Sequence, residues 1–310
     1  MTRAVVTGGA GFVGSHLVDA LLDAEDEVTV IDHLSGGHSD NLAGALARGT
    51  RLITADVRDV DAMVSSFARV RPDVVYHLAA QIDVRRSVSD PSTDAHVNVG
   101  GTAAVLEASR NAGARRVLLA STAGVYGDPH AIPTPETAPV APLSPYGTSK
   151  AAAENYMQLF PRLHGLSTLS LRMSNVYGPR QDPHGEAGVV AIFCRLAASG
   201  ESATIFGDGA QTRDFIYVTD VVDAFRAAGR SSAEGIVNVA TGRETALARL
   251  ADELRLSTTY AASRPGETQR SCLDPSRARR TLGWRPRVGL QEGLRRTLME
   301  MAVPEAVGAP

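Results

Sequence analysis

Tyr146 and Lys150 stand one helical turn apart in Tyr146-Gly147-Thr148-Ser149-Lys150. If a helix begins near Pro145, this i,i+4 spacing turns a phenol and an ammonium to the same face, toward one reacting centre. A free tyrosine titrates near about 10 and is a poor base at neutral pH. A lysine ammonium beside it stabilises the phenolate and draws that pKa toward the working range. Of the 31 basic residues, all but Lys150 are arginine. A compact ammonium reaches neighbouring hydroxyls without the wide fork of a guanidinium, which is a reason for lysine at this one position. Taken alone, the spacing means a surface tyrosine and a solvated lysine. Two further features raise it above that: a β-branched run ending in Ser121-Thr122, which offers a hydroxyl, and a phosphate-binding pattern near the start of the chain.

That pattern is Thr7-Gly8-Gly9-Ala10-Gly11-Phe12-Val13-Gly14, directly after an apolar run and opening an amphipathic one. It contains Gly9-x-Gly11-x-x-Gly14 and also Gly8-x-x-Gly11-x-x-Gly14. Positions without side chains permit a tight turn and a close backbone approach to a pyrophosphate, whose charge sits on the amino end of the following helix. Asp32 closes the next apolar run, near the expected interval for an acid that binds a ribose. A carboxylate there accepts hydrogen bonds from both ribose hydroxyls and repels a 2′-phosphate, so NAD is favoured over NADP, and its positive nicotinamide ring would help lower the Tyr146 pKa. Asp56-Val57 is placed to meet the adenine edge; a solvated loop aspartate explains Asp56 nearly as well.

The elements that must position these groups follow from periodicity. Ala4 to Thr7, Val28 to Ile31, Arg51 to Thr54, Val74 to His77, Val117 to Ala120 and Thr168 to Arg172 read as buried strands, and Gly14 to Asp23, Asp59 to Arg69, Asp94 to Ala112 and Ser149 to His164 as helices. Strand and helix in alternation imply right-handed crossovers and a parallel, doubly wound sheet. Beyond Arg172 the texture turns to Gly- and Pro-rich loops, with strands at Phe215 to Val218 and Ile236 to Val239 around a helix at Thr219 to Gly229. The fold class is therefore α/β: a Rossmann-type doubly wound parallel sheet with a smaller, irregular carboxy-terminal substrate domain. Residues 1–172 form the NAD-binding part, with segments returning near 212–245, and residues 173–211 and 246–310 the substrate-binding part. The 310 residues are 44% hydrophobic and 21% charged, as in an ordinary globular chain. A net charge of −3 with no long basic run leaves no electrostatic footprint for nucleic acid or an anionic membrane. No apolar stretch reaches the roughly 18 residues of a membrane span, and Ala4-Val5-Val6 runs into glycines rather than a cleavage site, so the cytoplasm is the default address. Two cysteines, Cys194 and Cys272, with no CxxC spacing indicate neither a disulfide framework nor a metal site. His16, His77 and His96 read as packed or capping histidines.

Several motifs in order resemble those of one family. They are TGGAGFVGSHL at Thr7 to Leu17, HLAA at His77 to Ala80, STAGVYG at Ser121 to Gly127, SPYGTSK at Ser144 to Lys150, LRMSNVYGPR at Leu171 to Arg180, and GDGAQTRDFIYV at Gly207 to Val218. Across nearly its whole length the sequence resembles an extended short-chain dehydrogenase/reductase, most of all the nucleotide-sugar 4-epimerases of the UDP-glucose 4-epimerase kind. The resemblance places the catalytic hydroxyl on Thr122, the base on Tyr146 and its electrostatic partner on Lys150. It extends the cofactor site from Gly8, Gly11, Gly14, Asp32, Asp56 and Val57 to Phe12, Val13, Leu78, Ala79, Ala80 and Asn98. On the substrate side it implies Asn175, Val189, Arg213, Arg264, Glu267 and Ser271, with Arg264 as the far phosphate clamp and Glu267 as an acid for the nucleoside ribose. A surface pair in a loop is the plain alternative for Arg264 and Glu267. The family's gatekeeper, seven residues after that clamp, falls on Ser271; either it widens the sugar pocket or it is merely a small loop residue.

The implied reaction is oxidation at C4 of the sugar, with NAD as cofactor, rotation of the 4-keto sugar on its diphosphate, and return of the hydride to the opposite face. Related 4,6-dehydratases carry an Asp-Glu pair after the catalytic threonine, where this chain has Ala123-Gly124, which cannot transfer protons. The decarboxylases typically place a glutamate there as well. A uronate 4-epimerase needs only a cation or hydroxyls near C6, which Ser174 and the Arg180 loop could supply. A non-catalytic NAD-sensing protein is a further class, disfavoured because hydroxyl, phenol and ammonium are all intact. The family also implies a homodimer. Ala151-Ala152-Ala153 and the helix from Asp94 to Ala112 could pack across a two-fold, although helix-on-sheet packing explains the same alanines.

Overall fold

The computed structural model describes residues 1–183, 188–263 and 268–301. Six strands, β1 (Arg3–Thr7), β2 (Glu27–Asp32), β3 (Arg51–Thr54), β4 (Val74–His77), β5 (Arg116–Thr122) and β6 (Ser167–Met173), are joined by Gly235–Val239 in a seven-stranded sheet. From one edge the order is Gly235–Val239, β6, β5, β4, β1, β2, β3, and every pairing is parallel. A parallel sheet carries helices on both faces, so its strands are apolar on both sides. Alternate residues of one strand accordingly enter two cores: Ala4 and Val6 join Leu17, Leu21 and Phe225 on one face, while Val5 joins Met63, Phe67, Val105 and Met157 on the other.

The chain leaves β1 for β2 on one side and returns to β4 on the other. This reversal opens a crevice at the carboxyl ends of the strands, the usual ligand position in an open α/β sheet. The glycine loop, Asp32, Leu78, Thr122 and Ser174 all lie at or just after the carboxyl ends of sheet strands.

Two expected elements differ in detail. The helix at Asp94 to Ala112 is composite: an α-helical turn at Pro91–Ala95, a π-helical turn at His96–Gly100, then Gly101–Asn111. Gly100 and Gly101 bring low helix propensity to the junction, and Gly101 lets Val57 approach to where a β-carbon would stand, 2.7 Å from its methyl. The strand expected at Phe215 to Val218 does not enter the main sheet. Phe215–Tyr217 pairs with Asn175–Tyr177, and Val218 already opens the helix Val218–Arg230, which packs on the helix α1 (Phe12–Asp23).

A third core, containing Tyr177, Phe193, Cys194, Phe215, Leu250 and Leu294, gathers the remaining elements. Among them Thr212–Arg213 lies between Thr245–Ala246 and Arg270–Ser271 in a small sheet. The last part of the chain is tied back by the Asp220 carboxylate, which accepts from the amides of Arg287 and Val288, each at 3.0 Å, while Trp284 Nε1 donates to the Asp220 carbonyl. No described helix is long and apolar enough to cross a membrane.

Candidate active site

Ser144 sets the geometry of the Tyr146 helix. Its hydroxyl caps Pro145–His164 by accepting from the Gly147 amide at 3.1 Å, and Pro145 occupies the first turn, where its missing N–H costs nothing. A β-carbon on Gly147 would stand 2.7 Å from the Gly124 carbonyl, so only glycine lets this helix settle on the turn Ala123–Tyr126 that follows β5. The contact brings Tyr146 to Thr122. The Thr122 hydroxyl lies near enough to the phenol to favour its ionised form, and it accepts from the Gly124 amide at 3.1 Å.

Lys150 is buried one turn further on, and Nζ donates to the Ala120 carbonyl at 3.0 Å. Burial pushes the ammonium down to about 8, with Asp94 and Glu154 opposing that shift. The phenol departs from the sequence expectation. Its pKa is not lowered but pushed up to about 12: burial outweighs the Thr122 hydrogen bond, and the negative charge of Asp94 acts in the same direction as burial.

A polar layer that the one-dimensional pattern did not reveal lies behind the pair. Arg172 of β6 clasps Glu154 through two hydrogen bonds of 2.9 and 2.6 Å, Ser121 donates to the same carboxylate at 2.5 Å, and the guanidinium lies 4.6 Å from the centre of the Tyr126 ring. Glu154 is i+4 to Lys150, a spacing that would have flagged it, but nothing local to Arg172 predicts a partner in another element. His77 bridges the hydroxyls of Thr7 at 2.7 Å and Thr102 at 3.0 Å, and burial with the nearby Lys150 pushes it down to about 3. His16 bonds the Pro179 carbonyl at 2.9 Å.

The glycine loop fits a dinucleotide. β-Carbons at Gly8 and Gly14 would lie 2.5 Å from the Ala79 amide and 2.1 Å from the Gly8 carbonyl, respectively, so the chain's own packing demands both glycines. Gly11 is the amino-terminal cap of α1, no side chain caps it, and the first turn holds no acid. The amides of Phe12, Val13 and Gly14 therefore lack partners within the helix and are suited to phosphate oxygens. The Phe12 and Val13 side chains pack into the cores. Asp32 is nearly buried and accepts from the amides of Ala10 at 2.9 Å and Leu34 at 2.8 Å, one on each oxygen, which aligns the carboxylate and leaves acceptor capacity for a ribose. Leu78 and Ala79 lie against Gly8, their amides donating to the Thr7 carbonyl and hydroxyl. Ala80 continues this segment, and Gln81 after it exchanges hydrogen bonds with buried Asn98, amide to Oδ1 at 3.0 Å and Nδ2 to carbonyl at 2.9 Å. Val57 is buried against Gly101, and Asp56 is clasped by Arg58 at 2.6 Å, which holds its carboxyl below the usual range.

On the other side of the crevice, β-pairing aligns three of the expected substrate residues. Asn175 pairs with Phe215, two residues after Arg213, and Arg213 pairs with Ser271. Val189 opens the helix Val189–Ser199. Arg264 and Glu267 lie outside the described residues. In the Arg180 loop, which with Ser174 could supply a cation or hydroxyls near C6 in a uronate epimerase, Arg180 itself is paired with Asp19 of α1 at 2.8 Å.

Residues 4–240 match the model of the NAD dependent epimerase/dehydratase family. The chain belongs to this family. Over 305 residues it is 46% identical to the UDP-glucose 4-epimerase of Mycolicibacterium smegmatis, covering 96% of this chain and 97% of that one. The structure superimposes with a TM-score of 0.93 and 41% identity on the UDP-glucose 4-epimerase of Thermotoga maritima with UDP-glucose, covering 96% of this chain and 98% of that one. The UDP-glucose 4-epimerase of Thermus thermophilus in complex with NAD gives a TM-score of 0.91 at 41% identity, over 98% of this chain and 100% of that one. Membership of the family agrees with the cradle and carboxylate described above, which suit NAD.

Proposed function

We propose that this protein is an NAD-dependent 4-epimerase of a nucleotide sugar, interconverting UDP-glucose and UDP-galactose and also acting on the N-acetylated pair. The observation that carries this reading is the meeting of the Thr122 hydroxyl, the Tyr146 phenol and the Lys150 ammonium at the carboxyl end of β5, with Ala123-Gly124 beside them. Tyr146 takes the proton of the sugar 4-hydroxyl and later returns it, while Thr122 orients that hydroxyl. When bound, NAD supplies the acceptor for the C4 hydride and a positive ring that adds to the field on the phenol. Lys150 meets the negative charge developing on a phenol that burial, with Asp94 adding to it, holds near 12.

Asn175 and Arg213 hold the diphosphate through charge-assisted contacts, joined by Arg264 and Glu267 at the far phosphate and ribose. With the handle anchored there, the 4-keto sugar is free to turn. Residues 173–211 and 246–310, together with Arg213 from the segment between them, grip this handle, and residues 1–172 with the returning strand Gly235–Val239 form the cofactor site. No acid follows Thr122, so elimination or decarboxylation lacks the extra proton donor it requires. The ion pair with Asp19 also takes Arg180 from the role a uronate epimerase would give it.

A homodimer completes the proposal. Tyr156, Leu159 and Leu163 are exposed along Pro145–His164, and Val84 and Val88 are exposed on the helix Val84–Ser89, which packs on it. Of the three alanines expected at a two-fold, Ala153 is fully buried in the chain's own core, whereas Ala151 and Ala152 are half-buried.

The test is product identity after incubation of the purified protein with UDP- and dTDP-linked glucose, N-acetylglucosamine and glucuronate. UDP-galactose from UDP-glucose is expected, and absence of any 4-epimer would refute the reading. Ser271→Tyr should depress activity on the N-acetylated sugar far more than on UDP-glucose, by filling the space its C2 substituent needs. Equal loss on both would remove Ser271 from that role.

A further inference from the structure

Asp94 is completely buried in the turn Pro91–Ala95, which packs against Pro145–His164. Its Oδ1 accepts from Gln81 Nε2 at 2.9 Å and Asn98 Nδ2 at 3.0 Å, whereas Oδ2 is buried with no hydrogen-bond partner. A carboxylate oxygen removed from water is costly unless a donor or a cation answers it. The field of Asp94 acts on both Lys150 and Tyr146.

Three other titratable groups face Lys150 from the elements around it: Glu154 and Tyr146 on its own helix and His77 on β4. Glu154 is engaged by Arg172 and Ser121, and His77 stays neutral down to about pH 3. Among the described residues facing Lys150, Asp94 is thus the carboxylate with an oxygen uncommitted.

We propose that Asp94 is a positioning residue for the Tyr146–Lys150 pair, its buried carboxylate keeping the Lys150 ammonium protonated while it ties Gln81 and Asn98 to the same helix. The proposal rests on the catalytic reading of that pair. Asp94 touches neither substrate nor reacting atoms. Burial works to strip the proton from Lys150, and a neutral amine could not meet the charge that develops on Tyr146. Asp94 also opposes the phenolate directly, so its benefit runs through Lys150.

Because Lys150 is the only lysine, protein labelled with ¹³C,¹⁵N-lysine gives a single side-chain resonance whose titration reads this group without assignment. The parent midpoint is expected near 8. Asp94→Asn keeps the volume and the acceptor to Gln81 and Asn98 but removes the charge, and should move the midpoint down by at least about 1 pH unit. Asp94→Glu should restore it toward the parent value. An unchanged midpoint in Asp94→Asn overturns the proposal; should that variant not fold, Asp94→Ser is read in the same way. In turnover, kcat of Asp94→Asn should fall with its alkaline limb moved to lower pH, while KM for the nucleotide sugar stays near the parent value. A lower kcat without movement of the limb would instead mark a merely structural role. The titration needs neither substrate nor cofactor, so failure of the epimerase reading would be seen separately, in the absence of product.

Discussion

A half-buried phenol pushed up to about 12 and a buried ammonium pushed down to about 8 stand one turn apart on the helix Pro145–His164, and the proposed chemistry needs both. Tyr146→Phe should reduce turnover by at least about 100-fold, since a positioned acid–base group contributes that much or more. Nucleotide-sugar binding should stay near the parent value, because the phenol acts on the sugar proton and not on the diphosphate. Titration calorimetry beside a product assay checks both. Near-parent turnover would remove Tyr146 from its role. Lys150→Arg should be severely impaired as well, the fork of a guanidinium being too wide for a pocket already closed around Nζ by the Ala120 carbonyl. The pH dependence has a definite sign. Lys150 is charged below about 8 and loses its proton above it, so kcat should decline on the alkaline side through that value. A plateau to pH 10 would contradict the assigned cation.

At the level of elements, the site depends on close backbone contacts more than on side-chain packing. The first turn of α1 lies so near β1 that a β-carbon at Gly14 would overlap the Gly8 carbonyl, an atom of the backbone that cannot swing aside. Gly14→Ala should therefore cost about 1–3 kcal/mol of stability and release NAD, as read by thermal melting and by the cofactor retained on purification. At Gly11 the nearest atom to a β-carbon would be the Gly8 carbonyl at 3.2 Å, so Gly11→Ala should fold nearly as the parent does while still weakening NAD binding. Equal loss of stability in both variants would show that the loop has no outward, ligand-facing side. The π-helical turn His96–Gly100 is a second such device. Widening the helix there sets Asn98 toward Gln81 and Asp94 and fastens the segment after β4 to the helix beside the Tyr146–Lys150 pair.

For the whole molecule, the exposed apolar row Tyr156, Leu159 and Leu163 is the surface to test for self-association. Leu159→Arg with Leu163→Arg should convert a dimer to a monomer in sedimentation at micromolar concentration, and a monomeric parent would contradict the dimer. Much of this molecule was legible in one dimension. Strand periodicity located the six strands that precede residue 174 because five of them are buried on both faces, the edge strand β3 being half-buried, and glycine spacing marked the cradle because β-carbons at Gly8 and Gly14 are sterically forbidden. The i,i+4 spacing aligned Tyr146 with Lys150 on condition that a helix begin near Pro145; periodicity started that helix only at Ser149, and the structure begins it at Pro145. All of these are short-range constraints, written within a turn or a strand. What lay beyond them depends on which elements meet. No local pattern told that Phe215–Tyr217 would leave the main sheet, that Arg180 would reach Asp19, or that the phenol would be raised and not lowered. Nor did any pattern single out Asp94, whose oxygen has no partner only because Pro91–Ala95, Gln81 and Pro145–His164 close around it. Burial and electric field are sums over neighbours distant in sequence, so residue types and spacing named the reacting groups, while the tertiary structure alone decided the protonation states in which they are held.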